Sequence, residues 1–347
     1  MRLDQPLPVT VLTGFLGSGK TTLLRHVLAS PRLSKAAVVI NEFGEIGLDH
    51  ILVGRVDDST VLLSNGCVCC GLQDDLAHTL RQLFVRRASG EVPAFDRIVI
   101  ETTGLAEPVS VIRPLLTDQL LADCCRLDGV VTTVDAATGA ASLDHHPEAA
   151  KQIAVADRLI LTKTDLVTED ERRALEARIR ALNPAAPLIP VLNGEVDPGL
   201  VFDAGYYNPA TRSADVASWL AADAYHDHSD DAHGDHHHRG PHGAGVEAFC
   251  LTFDEPMAWA PLVQALRSLV AAHGPKLLRM KAVVAVEGRP QPVVLHGVQH
   301  LLHPPVLLDA WPDADRRSRF VFITDGVGRD ELAARLQACV SGAKVAV

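Results

Sequence analysis

Residues 14–22 read Gly-Phe-Leu-Gly-Ser-Gly-Lys-Thr-Thr, the residue types and spacing of a loop that wraps a phosphate chain. Glycines at 14, 17 and 19 let the backbone fold back until several N–H groups, that of Ser18 among them, face one anion. A helix starting at the end of the loop adds the positive end of its dipole. Lys20 can reach the β- and γ-phosphates, and the hydroxyl of Thr21, followed by Thr22, can hold Mg²⁺. A glycine turn that merely precedes a helix is the simpler reading. The full spacing, together with the apolar run Val9–Leu12 before it, favours a nucleotide.

Two more segments have chemistry of the same kind. Residues 97–104, Arg-Ile-Val-Ile-Glu-Thr-Thr-Gly, form an apolar run ending in an acid and then a glycine. Glu101 at such a strand end can bind Mg²⁺ directly or through water, and the Gly104 N–H can sense a γ-phosphate. Residues 159–165, Leu-Ile-Leu-Thr-Lys-Thr-Asp, end another apolar run. One carboxylate can accept from both the N1–H and the N2 amine of guanine, a pair that adenine lacks. Asp165 is placed for that task, and the aliphatic stem of Lys163 can cover the base. The alternative is that Asp165 simply caps a helix starting near Thr168.

Cys67-Val68-Cys69-Cys70 offers different chemistry. A turn at Val68 can bring three sulfurs together, and thiolates favour Zn²⁺ or Cu⁺. Three sulfurs leave a tetrahedral ion one position short, to be completed by water, Glu42, a histidine or a group from another protein. A site closed only in part suits a metal that is handed on. Buried structural thiols or a redox pair are the alternatives. Cys124-Cys125 in an apolar helical stretch, and Cys250 and Cys339 in a strand and a helix, read as small core residues.

These segments need elements to hold them. Strands are expected over Val9–Leu12, Ala37–Asn41, Thr60–Leu63, Arg97–Glu101, Val130–Asp135, Leu159–Thr162 and Leu188–Val191, and helices over Thr21–Ala29, Asp74–Ala88, Val111–Ala122 and Glu169–Leu182. The alternation predicts an α/β fold with a mostly parallel sheet covered by helices, and each chemical segment lies at a carboxyl end of a strand. From His226 to His242, seven of 17 residues are His and four are Asp, which reads as a disordered linker. Beyond it, strands Glu247–Phe253, Leu277–Val286, Val293–Gln299 and Phe320–Thr324 with helices Met257–His273 and Arg329–Val340 suggest a smaller α+β domain with an antiparallel sheet. The expected division is a nucleotide domain over 1–222, a His/Asp-rich tether over 223–245 and a C-terminal domain over 246–347.

With 347 residues, 47% hydrophobic and 22% charged, the chain has the composition of a soluble two-domain protein. A net charge of -11 disfavours nucleic acid or an anionic membrane as partner. The short polar start reads as no secretory leader, no apolar run approaches the length of a membrane span, and a cytoplasmic location is expected. There the seven cysteines stay reduced.

The segments Gly14–Thr22, Asn41–His50 (NEFGEIGLDH), Gly66–Leu72 (GCVCCGL), Glu101–Pro108 (ETTGLAEP) and Thr162–Leu166 (TKTDL) together resemble the CobW-type P-loop GTPases. The likeness continues through Leu277–Val284, His296–Pro305 and Asp315–Thr324, so it covers nearly the whole chain. It implies GTP hydrolysis coupled to metal handling, mostly zinc, in some members cobalt or iron. Lys20, Thr21 and Glu101 would then serve phosphate and Mg²⁺, Lys163 and Asp165 the base, and Cys67, Cys69 and Cys70 a transferred metal. Glu42 and Glu45 lie on the segment matching the family's first switch, where Glu42 could add a carboxylate. Thr162 departs from the Asn usual in GTPases.

The reading is a GTP-driven zinc insertase for a client metalloprotein, with His236, His237 and His238 in a tract able to act as a metal reservoir. His296, His300 and His303 are expected in an interface or core role. Two rivals stay open. One is another P-loop enzyme such as a small-molecule kinase, and the other is a zinc store or sensor with nucleotide as a passive ligand.

Overall fold

The computed structural model describes residues 6–41, 61–64, 72–202 and 245–340, with side chains left out at 41, 61–64 and 72–75. The chain folds into two compact units. The first comprises Met1–Ser142, Ala156–Glu176 and Ala186–Pro209, and the second comprises Leu143–Val155, Ala177–Ala185 and Ala210–Val347.

The first unit is built on seven strands: β1 (Leu7–Gly14), β2 (Ala36–Asn41), β3 (Val61–Ser64), β4 (Arg97–Thr102), β5 (Cys125–Asp135), β6 (Arg158–Thr162) and β7 (Leu188–Pro190). They run parallel in the order β3-β2-β4-β1-β5-β6-β7. The central strands carry apolar residues on both faces. Ile98, Val99 and Ile100 are all fully buried, as a sheet with two covered faces requires. Leu23, Leu24, Val27 and Leu28 of helix α1 (Lys20–Leu28) pack with Leu12, Val38, Val99, Val131 and Ile160 in one core cluster.

The other helices of this part of the chain are α2 (Leu72–Ser89), α3 (Pro108–Thr117), α4 (Gln119–Cys124), α5 (Gly139–His145), α6 (Pro147–Val155), α7 (Glu169–Leu182) and the short α8 (Pro198–Val201). The single helix expected over Val111–Ala122 is two helices. Asp118 is extended, and its carboxylate accepts from the N–H groups of Leu120 and Leu121 at 3.1 Å each, starting a new helix there. Cys125 belongs to β5 rather than to a helix, although it and Cys124 are buried as expected. Burial and the neighbouring Cys124 push the Cys125 thiol up to about 12, so it stays neutral. Helices α5 and α6 were not anticipated.

The second unit contains an antiparallel sheet: β8 (Val246–Phe253), β9 (Arg279–Val284), β10 (Val293–Val298), β11 (Leu301–Leu302), β12 (Val306–Leu307) and β13 (Ser318–Asp325). The order is β11-β10-β9-β13-β8, with β12 paired to β10. Leu262, Leu266 and Leu269 of α9 (Trp259–His273) and Leu332 and Leu336 of α10 (Arg329–Gln337) lie at helical spacing in a core with Phe249, Phe253, Met280, Phe320 and Phe322. Cys339 is in that core, just beyond α10 rather than inside it. Cys250 is half-buried on β8, and burial raises its thiol.

Candidate functional site

The loop after β1 has the backbone its glycines allow. Gly14, Gly17 and Gly19 take φ values of 139°, 74° and 91°, a region that L side chains rarely enter. A Cβ at Gly14 would lie 2.3 Å from Thr133 Oγ1 and 2.4 Å from the Thr133 carbonyl, so the start of the loop lies directly on β5. Ser18 is buried, with its hydroxyl 2.6 Å from that of Thr133. Gly19 caps α1 without a side-chain bond, and the first turn of α1 holds no acid to compete for its N-terminal charge. Lys20 lies back over the loop. Its ammonium donates to the carbonyls of Gly14 (2.9 Å) and Phe15 (3.2 Å), and the residue is only 7% exposed.

Glu101 reaches the same place from β4. The Thr21 hydroxyl donates to Glu101 Oε1 at 2.7 Å, although the residues are 80 positions apart. Two hard oxygen ligands side by side are the donor set that Mg²⁺ prefers. The next loop closes on the first. A Cβ at Gly104 would lie 2.6 Å from the Leu16 nitrogen, so only glycine fits there. Behind these loops Thr102 donates to the Thr13 hydroxyl at 2.9 Å, and Thr133 donates to the Thr13 carbonyl at 3.3 Å. The phosphate loop and the Glu101 strand thus share a buried set of hydroxyls.

The residues expected to meet the base lie where β6 ends. Lys163 takes a left-handed conformation, φ 55° and ψ 34°, and its ammonium donates to the Gly17 carbonyl at 2.8 Å and to Asp135 Oδ2 at 2.6 Å. Asp165 is exposed and does not cap α7. That cap is a reciprocal pair in which Glu171 Oε2 accepts from the Thr168 N–H and Thr168 Oγ1 accepts from the Glu171 N–H. The Thr168 hydroxyl also donates to Glu171, and these bonds hold the Glu171 carboxyl below its ordinary range. The capping alternative for Asp165 therefore falls away. Thr162, in the place of the usual Asn, donates to the Ser18 carbonyl at 2.8 Å and so ties β6 to the phosphate loop.

Comparison with known proteins agrees with this geometry. Residues 8–190 match the family model described as the CobW/HypB/UreG nucleotide-binding domain, and residues 246–340 match the cobalamin synthesis protein CobW C-terminal domain. The chain is 33% identical over 331 residues to the zinc chaperone YjiA of Escherichia coli, covering 95% of this chain and 97% of that one. The chain belongs to the CobW/HypB/UreG family of P-loop GTPases. It is also 30% identical over 335 residues to the zinc chaperone CobW of Pseudomonas aeruginosa, covering 86% and 82% of the two chains. Among solved structures, the crystal structure of Zn(II)-bound YjiA GTPase from E. coli superposes with a TM-score of 0.71 at 29% identity, covering 96% of this chain and 99% of that one.

The nucleotide that the family implies fits the residues present. A cradle of left-handed glycines, a buried ammonium over it and the Thr21–Glu101 oxygen pair are the parts that a nucleotide and its Mg²⁺ need. The metal-handling part of the CobW reading is a different matter. Cys67, Cys69, Cys70, Glu42, Glu45 and His236–His238 lie outside the described residues. Among the described residues, no group of three or more His, Cys, Asp or Glu side chains could hold a metal ion. His296 and His303 are buried with ring centroids 6.4 Å apart, in keeping with a core role, whereas His300 is exposed. No described helix is long and apolar enough to cross a membrane.

Asp135 is the residue that sequence reasoning passed over. It ends β5, Oδ1 accepts from the N–H groups of Ala137 (2.8 Å) and Thr138 (3.3 Å), and Oδ2 holds Lys163. Burial alone would raise its carboxyl. The bond from Lys163, the Ala137 and Thr138 donors and the ammonium charge outweigh burial and hold it below the usual carboxylate range. An acid at the end of an apolar strand was the available signal, the same one that singled out Glu101.

Proposed function

We propose that this chain is a zinc chaperone that uses GTP hydrolysis to load a client metalloprotein, with Cys67, Cys69 and Cys70 as ligands of the cargo ion and Glu42 as a further carboxylate. The observation that carries the reading is the extent of the likeness. It reaches the E. coli zinc chaperone over 95% of this chain and 97% of that one, well beyond the widely shared phosphate loop.

In this reading Lys20 and the loop N–H groups grip the phosphates, and Lys163 and Asp165 hold the base. Thr21 and Glu101 would hold Mg²⁺, whose charge would offset the negative charge developing on the phosphates. The γ-phosphate draws the 103–107 loop and residues 41–49 together through Gly104. That movement changes the spacing of Glu42 and the three thiolates, and hydrolysis reverses it. A tenfold change in zinc affinity needs only about 1.4 kcal/mol. The tract around His236, His237 and His238 serves as a tethered reservoir, and residues 246–347 recognise the client. The rival reading is a zinc store in which nucleotide is passive.

Cys69→Ala separates the two. GTP turnover of the unmodified protein is expected to change when Zn²⁺ is added, and that response is expected to vanish in the variant while its zinc-free turnover stays as before. Turnover indifferent to zinc in the unmodified protein would favour the store.

A further inference from the structure

We infer that Asp135 is a positioning residue for the nucleotide: its buried carboxylate holds the Lys163 ammonium against the phosphate loop and so fixes the wall on which the base lies. The inference rests on the GTPase reading of the site and adds a residue to it.

The geometry is that of a three-point clamp. Asp135 and Thr162 are neighbours across the parallel pairing of β5 with β6, so Lys163, the next residue, leaves the sheet beside Asp135. The left-handed backbone at Lys163 is unfavourable for a residue with a side chain and persists only where its surroundings impose it. Two contacts do so. Asp135 Oδ2 at 2.6 Å neutralises the ammonium, and the Gly17 carbonyl at 2.8 Å fixes its direction. The side chain of Asp135 is only 4% exposed, whereas that of Lys163 is 39% exposed. The anchor is therefore buried, and the part that meets solvent is the lysine. With its ammonium held, the four-carbon stem of Lys163 keeps one orientation and can offer an apolar surface to a base without first being ordered. The same ammonium bonds the loop that holds the phosphates, so one cation braces both ends of the nucleotide site.

The two oxygens of Asp135 have separate tasks, and this makes the inference testable. Asp135→Asn keeps an acceptor for the Ala137 and Thr138 N–H groups and puts an amide in place of the charge facing Lys163. Asp135→Ser keeps a shorter turn-capping oxygen and cannot reach the ammonium. Binding of a fluorescent GDP should weaken about tenfold in either variant, the scale of one lost charge-assisted hydrogen bond, with KM for GTP rising alike and kcat at saturation unchanged. Lys163→Met should weaken GDP by a similar factor. The double variant Asp135→Asn/Lys163→Met should be no weaker than Lys163→Met alone, because Asp135 acts only through the lysine. Losses that multiply to about a hundredfold in the double variant, or unchanged GDP affinity in both single Asp135 variants, would overturn the inference. An unmodified protein that binds no guanine nucleotide would instead refute the GTPase reading beneath it.

Discussion

Lys20→Met is expected to lower GTP turnover by about 10²–10³-fold while leaving a folded protein. The Lys20 ammonium rests on the Gly14 and Phe15 carbonyls of the loop. In the transition state of phosphoryl transfer, charge spreads over the phosphoryl oxygens, and a preorganised cation in a buried site is worth far more there than in water. Methionine fills the volume of the lysine stem without the charge. Loss of the bonds with the two carbonyls costs about 1–3 kcal/mol of stability. Single-turnover hydrolysis and a melting curve measure the two effects separately. The loss of affinity should be larger for GTP than for GDP. A variant within tenfold of the unmodified turnover would mean that Lys20 does not meet the reacting phosphates.

Glu101→Gln is the second large effect. Glu101 is 1% exposed at the end of β4, and its Oε1 takes the Thr21 hydroxyl at 2.7 Å. Glutamine can still accept that hydrogen bond through its amide oxygen, so the link between β4 and α1 is kept while the charge is lost and an NH2 group replaces the second oxygen. Turnover should fall about 10²-fold, and the Mg²⁺ concentration needed for half-maximal activity should rise. A Mg²⁺ titration superposable on that of the unmodified protein would remove Glu101 from the metal's surroundings.

The parts of the site legible in the sequence were those set by short-range spacing. The phosphate loop is one continuous segment whose glycines take positive φ, and the strand before it is mostly apolar, with Thr10 and Thr13 the polar exceptions. The Glu101 and Lys163 segments were legible for the same reason, and the strands lie within a few residues of expectation apart from β5, which starts five residues earlier. What escaped notice depends on register. Asp135 and Lys163 are 28 positions apart and meet only because β5 and β6 pair in parallel with Asp135 beside Thr162. The contact between Ser18 and Thr133 spans 115 positions and arises in the same way, from the pairing of β1 with β5. The break between α3 and α4 was hidden by continuous apolar periodicity through 111–122, which masked a competing local bond from the Asp118 carboxylate. Helices α5 and α6 adjoin an Asp-His-His-Pro run that resembles a loop by composition, yet Ala149, Ala150, Ile153, Ala154 and Val155 of α6 are buried.

The substitution of Thr162 for the usual Asn removes an amide, but the hydroxyl reaches the Ser18 carbonyl and keeps β6 joined to the phosphate loop. Asp165 is exposed, and the cap of the next helix is formed by the Thr168–Glu171 pair instead. In the proposed reading, that leaves the Asp165 carboxylate available for a guanine base.

The most direct test of the central claim is the Zn²⁺ affinity of the full-length protein measured with GTP bound, with GDP bound and with no nucleotide. The account predicts an affinity with GTP that differs from that with GDP by at least about tenfold, the difference abolished by Cys69→Ala. Equal affinities in all three states would contradict it, because a switch that leaves its cargo site unchanged cannot drive the ion onward.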